Sequence, residues 1–146
     1  MFSDIERELQ LAKAKPEVAS NLGITPGGGN FLAALGLLCY TEFGGKLMRP
    51  SGSDCASENF NRFFDTLGLP YANFRASHNV YDIYRCGLAH EYYAKKSCTI
   101  YMFGPSEQPG VGVDTNGQYW FVIEKYARDL KAAFQVLEGQ MFSATA

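Results

Sequence analysis

The sequence is poor in histidine, in net charge and in long apolar runs. It contains two histidines among 146 residues, and its 13 basic and 15 acidic side chains give a net charge of -2. This balance excludes a bulk electrostatic attraction to polyanions, so any contact with nucleic acid must be local. The longest apolar run, residues 31–40, has about half the length that a membrane-spanning helix needs. We therefore predict no membrane association.

Cysteine is also scarce, and its spacing excludes the common metal sites. The four cysteines stand far apart, without a C-x-x-C pair or a nearby pair of histidines. The sequence therefore predicts neither a metal nor another cofactor. The residues that follow Met1 are charged from Asp4 onward, which is not typical of a signal peptide. We expect a cytoplasmic protein whose cysteines stay reduced.

What the sequence does contain is ample apolar material, at 47% of residues, arranged mostly with a helical period. Phe60, Phe63, Phe64 and Leu67 recur at the spacing of an amphipathic helix. A helix apolar on every side is predicted to follow Asn30 and to stop at Gly44 and Gly45.

Short β-prone runs appear only near the end of the chain, at residues 98–103, 111–113 and 118–121. Together these patterns predict one mainly α domain over residues 1–146. We expect an up-and-down helical bundle of four to five helices, with a small antiparallel β insertion at about 97–122 before the last helix.

Residues 81–93 are predicted to form an amphipathic α-helix that carries both an arginine and a histidine. At about 100° per residue, Arg85 and His90 lie about 140° apart, one on each shoulder of the apolar face. That core-facing arc comprises Val80, Tyr81, Ile83, Tyr84, Gly87 and Leu88. The groove between Arg85 and His90 is lined by the side chains on the opposite face: Asp82, Cys86, Ala89 and Tyr93. Such a groove has room for a phosphate and its neighbouring sugar.

This pair of side chains suits RNA cleavage without a metal. A neutral imidazole at His90 accepts the proton of a ribose 2′-hydroxyl, and the Arg85 guanidinium stabilises the charge that develops on the phosphate. The reaction also needs an acid for the leaving group. The candidates are Tyr92, Glu91 and a second copy of the site in a homodimer.

The motif Arg85-Cys-Gly-Leu-Ala-His90 resembles the signature of the HEPN domains (higher eukaryote and prokaryote nucleotide-binding), an arginine followed by a histidine after four to six residues. With Tyr92 it is similar to the R-x4-H-x-Y form of HEPN toxins paired with nucleotidyltransferase antitoxins. The resemblance implies a helical bundle, a symmetric homodimer and metal-independent endoribonuclease activity on RNA, as in a toxin or defence effector, with a nucleotidyltransferase-type antitoxin as partner.

Two departures from the family pattern leave alternatives open. Active members usually carry a polar residue after the arginine, where this chain has Cys86, and the β insertion lies outside the minimal bundle. One alternative is a non-catalytic HEPN-like module that binds nucleotide or RNA, or that mediates dimer contacts. The other is a structural helical domain, in which Arg85 pairs with Asp82 and His90 is a core residue. His78 is predicted to be a surface or capping residue.

Overall fold

The computed structural model describes residues 1–23, 29–49, 55–91, 98–105 and 108–143, and for His90 and Glu91 it describes the backbone alone. Within these ranges the elements follow in the order α1 (Ser3–Lys13), α2 (Pro16–Asn21), α3 (Gly29–Leu47), α4 (Ala56–Asp65), α5 (Leu69–Ser77), a π-helix (Tyr81–Glu91), β1 (Thr99–Tyr101), β2 (Val111–Val113), β3 (Tyr119–Val122) and α6 (Ile123–Ser143). The predicted fold, mainly helical with a small sheet before the last helix, is confirmed.

The described ranges hold more helical segments than the four to five predicted, because two short helices each have a proline in their first turn. Pro16 opens α2, and Pro70 lies in the first turn of α5. Proline is tolerated there, since the first amides of a helix have no partner within it. The helix α5 includes residues 71–77, although their sequence has no clear apolar period.

The central helix α3 packs against α1, α4, α6 and the π-helix. The prediction that it stops at Gly44 and Gly45 is wrong, because α3 continues to Leu47 and both glycines are buried. A Cβ atom at Gly45 would overlap the main-chain carbonyl of Asn59 in α4. The two glycines thus allow α3 and α4 to cross at very short range.

The three strands form one sheet in the order β1-β3-β2. The hairpin of β2 and β3 is antiparallel, as predicted, with Val111 opposite Phe121. The pairing of β1 with β3 is parallel, with Thr99 opposite Trp120, so the antiparallel prediction is wrong for this pair. β3 lies between the other two strands, and β1 pairs with the edge of β3 that faces away from β2.

A buried tyrosine of α5, Tyr71, joins this helix to α6 and to the residue that precedes β2. The Tyr71 hydroxyl donates to Asp129 of α6 at 2.6 Å and accepts the Gly110 amide at 2.8 Å. Burial raises the pKa of Tyr71 far above its ordinary value, so the hydroxyl keeps its proton. Among the described residues, no buried side-chain nitrogen or oxygen is without a hydrogen-bond partner. The core polar groups are thus occupied by the fold itself.

Candidate functional site

The segment that carries the motif is a π-helix rather than the α-helix predicted from its apolar pattern. It begins after Asn79, whose side-chain oxygen accepts the Asp82 amide at 3.3 Å. Its core-facing residues are those that the sequence predicts, and they include Ile83, Tyr84 and Leu88, all buried. A π-helix has hydrogen bonds between residues five apart. Such segments are rare in proteins, and those that exist are frequently found at functional sites.

The π-helical backbone changes the predicted relation between positions 85 and 90. Because its hydrogen bonds join residues five apart, such residues follow one another on the same side of the helix. The predicted angle of about 140° assumed an α-helix, so it does not carry over to this backbone. Of the predicted groove residues, Asp82, Cys86 and Ala89 are half-buried. The side chain of His90 and all of Tyr92 and Tyr93 lie outside the described part of the chain.

Arg85 is paired with Glu42, a residue of α3 that is 43 positions away in the sequence. The Arg85 Nε donates to Glu42 Oε2 at 3.2 Å, and 19% and 27% of the two side chains are exposed. The alternative in which Asp82 neutralises Arg85 is thus replaced by an ion pair between two helices. Since both side chains keep some exposure, solvent reaches the pair.

A second arginine in the chain shows what a closed ion pair looks like. Arg75 of α5 donates from Nε and Nη2 to the two carboxylate oxygens of Asp65, at 2.5 and 2.6 Å. The hydrogen bonds that Arg75 donates to Asp65 raise the pKa of Arg75 above its ordinary value. In contrast, within the described part of the chain the hydrogen bond of Arg85 to Glu42 is made by Nε alone. Two arginines close together in sequence are therefore held in different ways.

Tyr81, at the start of the π-helix, lies within electrostatic reach of the Arg85–Glu42 pair. Its half-buried ring meets Phe60 of α4 edge-on, with 5.4 Å between the ring centroids. Burial raises the pKa of the Tyr81 hydroxyl, the nearby Glu42 carboxylate and Cys86 raise it further, and Arg85 opposes them. The hydroxyl is therefore protonated at neutral pH and able to donate a hydrogen bond.

The opposite face of the π-helix is fixed to the sheet by Tyr84. Its hydroxyl lies within hydrogen-bond distance of the Gly112 carbonyl at 3.2 Å and the Trp120 carbonyl at 3.1 Å. The ring is fully buried. These contacts set the position of the helix and hence of Arg85, one residue further along.

His78, the second histidine, lies at the C-cap of α5, a helix that the sequence did not predict. Its Nδ1 is hydrogen-bonded to the Tyr119 hydroxyl at 2.9 Å, and its ring lies 4.4 Å from that of Phe74. It also lines an open polar cleft of about 370 Å³, together with Asn61 and Arg75. Its Tyr119 partner could not be read from the sequence.

Sequence reasoning missed Glu42 and Tyr81 as members of the site. Glu42 does carry a signal, since it is the only carboxylate in the otherwise apolar α3. A half-buried carboxylate on a mainly apolar helix needs a partner, and the partner is Arg85. The apolar pattern places Tyr81 on the core-facing arc and gives no sign that it lies near Arg85 and Glu42.

Comparison of the chain with protein-family models, curated proteins and solved structures finds no match. Within the described ranges, no three side chains of the His, Cys, Asp and Glu types are grouped so that they could hold a metal ion. Among the described helices, none is both long and apolar enough to cross a membrane.

Proposed function

We propose that this protein is a HEPN-like endoribonuclease of the cytoplasm that cleaves RNA without a metal, with Arg85 and His90 in the reacting groove. The observation that supports it most is the state of Arg85, which is half-buried on a π-helix and is held, among the described residues, by one hydrogen bond from Nε to Glu42. The guanidinium has five N–H donors, and the hydrogen bond to Glu42 uses the one at Nε. The edge formed by the two terminal nitrogens matches two phosphate oxygens.

In the proposed reaction the ribose 2′-oxygen attacks the adjacent phosphorus. His90 takes the 2′-hydroxyl proton, the O2′–P bond forms, and the P–O5′ bond breaks as an acid protonates O5′. The products are a 2′,3′-cyclic phosphate and a 5′-hydroxyl. Arg85 stabilises the charge on the phosphate oxygens in the transition state.

The acid comes from one of the groups near the motif. Tyr92, Glu91 and a second copy of the chain in a homodimer are the candidates from the sequence. Tyr81 is a further candidate, because it lies within electrostatic reach of Arg85 and Glu42. A toxin or defence role adds a nucleotidyltransferase-type antitoxin as partner, with Tyr92 as the residue that such a partner modifies.

The test uses purified full chain and a mixed-sequence RNA in the presence of a chelator. We expect cleavage to 2′,3′-cyclic phosphate ends near neutral pH, abolished in His90→Ala. The matched control is His78→Ala, which removes the other histidine at the cleft by α5 and should retain cleavage. Absence of cleavage in the unaltered protein, or equal losses in both folded variants, contradicts the proposal.

The second candidate function is a non-catalytic HEPN-like module that binds RNA or nucleotide, or mediates dimer contacts, through the same groove. Cys86 favours it, because a thiol after Arg85 is a weak hydrogen-bond donor. This function predicts that RNA binds without being cut and that Arg85→Gln weakens the binding. A Cys86→Asn variant that gains cleavage would also favour it.

A further inference from the structure

Glu42 and Arg85 meet between two helices that are each fixed by other contacts. On the α3 side, Gly44 and Gly45 allow the close crossing with α4 just beyond Glu42. On the π-helix side, Tyr84 reaches two strand carbonyls of the sheet. The ion pair therefore joins two helices that each have other contacts to hold them in place.

The atoms used in the pair decide what Arg85 has left to offer. A guanidinium presents one edge formed by Nε and one Nη, and a second edge formed by the two Nη groups. Glu42 accepts from Nε at 3.2 Å. The edge formed by the two Nη groups lies on the far side from that atom, and it is the edge that receives a phosphate in an end-on fork.

We propose that Glu42 is a positioning residue: it holds Arg85 through Nε and so presents the terminal edge of the guanidinium to a phosphate oxyanion. This inference rests on the proposed function. In the complex with RNA the Nε contact to Glu42 persists, and the phosphate is added at the Nη groups. Glu42 itself does not touch the substrate.

The competing role is that of an internal anion, which occupies Arg85 until RNA displaces it. The geometry favours positioning, because Glu42 does not close the guanidinium with two bonds as Asp65 does on Arg75. The two roles predict opposite effects on kinetics. Loss of a competitor lowers KM, whereas loss of a positioning group lowers kcat.

The first experiment measures steady-state cleavage of one RNA oligonucleotide by Glu42→Ala, Glu42→Gln and the unaltered protein. We expect kcat to fall about 10- to 100-fold in Glu42→Ala, with KM changed less. Glu42→Gln should lose less, since its amide oxygen still accepts from Nε. Asp65→Asn, which alters the other arginine pair, is the matched control and should keep its kcat.

The second experiment does not depend on cleavage. The Arg85 Nε–H resonance is followed by NMR while a 2′-O-methyl RNA oligonucleotide, which has no reactive 2′-hydroxyl, is added. We expect a protected Nε–H signal that is lost in Glu42→Ala and that stays protected in the RNA complex. Loss of protection on binding, or tighter RNA binding by Glu42→Ala, shows a competitor and overturns the inference.

Arg85→Gln separates this inference from the proposed function. If Arg85→Gln binds the 2′-O-methyl RNA as well as the unaltered protein does, Arg85 is not an RNA ligand and the proposed function fails together with the role of Glu42. If Arg85→Gln weakens binding while both Glu42 variants leave kcat and the Nε–H signal unchanged, only the role of Glu42 fails.

Discussion

Arg75 and Arg85 lie on neighbouring helices, and each faces one carboxylate. Arg75 closes a two-bond fork with Asp65, in which 35% and 33% of the side chains are exposed. Arg85 makes one longer bond to Glu42 and is less exposed, at 19%. Burial alone therefore does not decide whether an arginine has a purely structural role. The number of guanidinium nitrogens in use decides whether it retains capacity for a ligand.

The largest expected effect comes from breaking the support of Glu42. Gly45→Ala places a methyl group against the Asn59 carbonyl, so α3 and α4 must separate. We expect the free energy of unfolding to fall by about 3 kcal/mol, the upper end of the usual cost of overpacking, measured by chemical denaturation. The control Gly139→Ala lies on an exposed turn of α6 with nothing within 4 Å, and should stabilise the protein by about 0.5–1 kcal/mol. Equal effects would contradict the close crossing.

This crossing also marks the limit of what the sequence predicts. The spacing of Phe60, Phe63 and Phe64 correctly predicts α4, because an amphipathic period reports which residues face the core. Gly44 and Gly45 predict the end of a helix, because glycine is unfavourable inside one. The close approach of α4, which requires glycine at these positions, is not visible from the local sequence.

The candidate site, too, has features that the sequence predicts and features that it does not. The buried residues of the motif helix, Ile83, Tyr84 and Leu88, follow from the apolar pattern, which fits an α-helix and a π-helix alike. The π conformation is therefore not predictable from that pattern, and with it the relation of positions 85 and 90. The pairing of Arg85 with Glu42 joins residues 43 apart, so it depends on how α3 packs.

A smaller effect is expected from removing the anchor of the π-helix. Tyr84→Phe leaves the Gly112 and Trp120 carbonyls without the hydroxyl that they share. We expect a loss of about 1–3 kcal/mol in the free energy of unfolding. Tyr101→Phe, at a tyrosine that is 49% exposed, is the control and should change stability little. A Tyr84→Phe variant as stable as the control would show that the anchor contributes nothing.

The Arg75–Asp65 pair should contribute still less to stability. A double-mutant cycle with Arg75→Gln and Asp65→Asn is expected to give a coupling energy of about 1 kcal/mol, the upper range for partly exposed pairs with good geometry. The measurement is denaturant unfolding of the four proteins. A coupling energy near zero would remove the distinction between the closed fork and the single bond.

The smallest expected effect on stability is that of the Arg85–Glu42 pair. The cycle with Arg85→Gln and Glu42→Gln should give a coupling energy of about 0.5 kcal/mol or less, because one long hydrogen bond joins the two side chains. Unfolding at low and at high salt checks this, since a weak pair open to solvent loses its coupling in salt. A coupling larger than that of Arg75 and Asp65 would assign Arg85 to the fold.

The central claim is that Arg85, and not Arg75, meets the RNA phosphate. Its most direct test compares cleavage rates of Arg85→Gln, Arg75→Gln and the unaltered protein on one RNA, with a chelator present and with folding checked by circular dichroism. The account predicts that Arg85→Gln lowers kcat about 10²- to 10³-fold, as expected for removal of one group that stabilises transition-state charge, while Arg75→Gln stays near the unaltered rate. A folded Arg85→Gln that cleaves as fast as Arg75→Gln would contradict it.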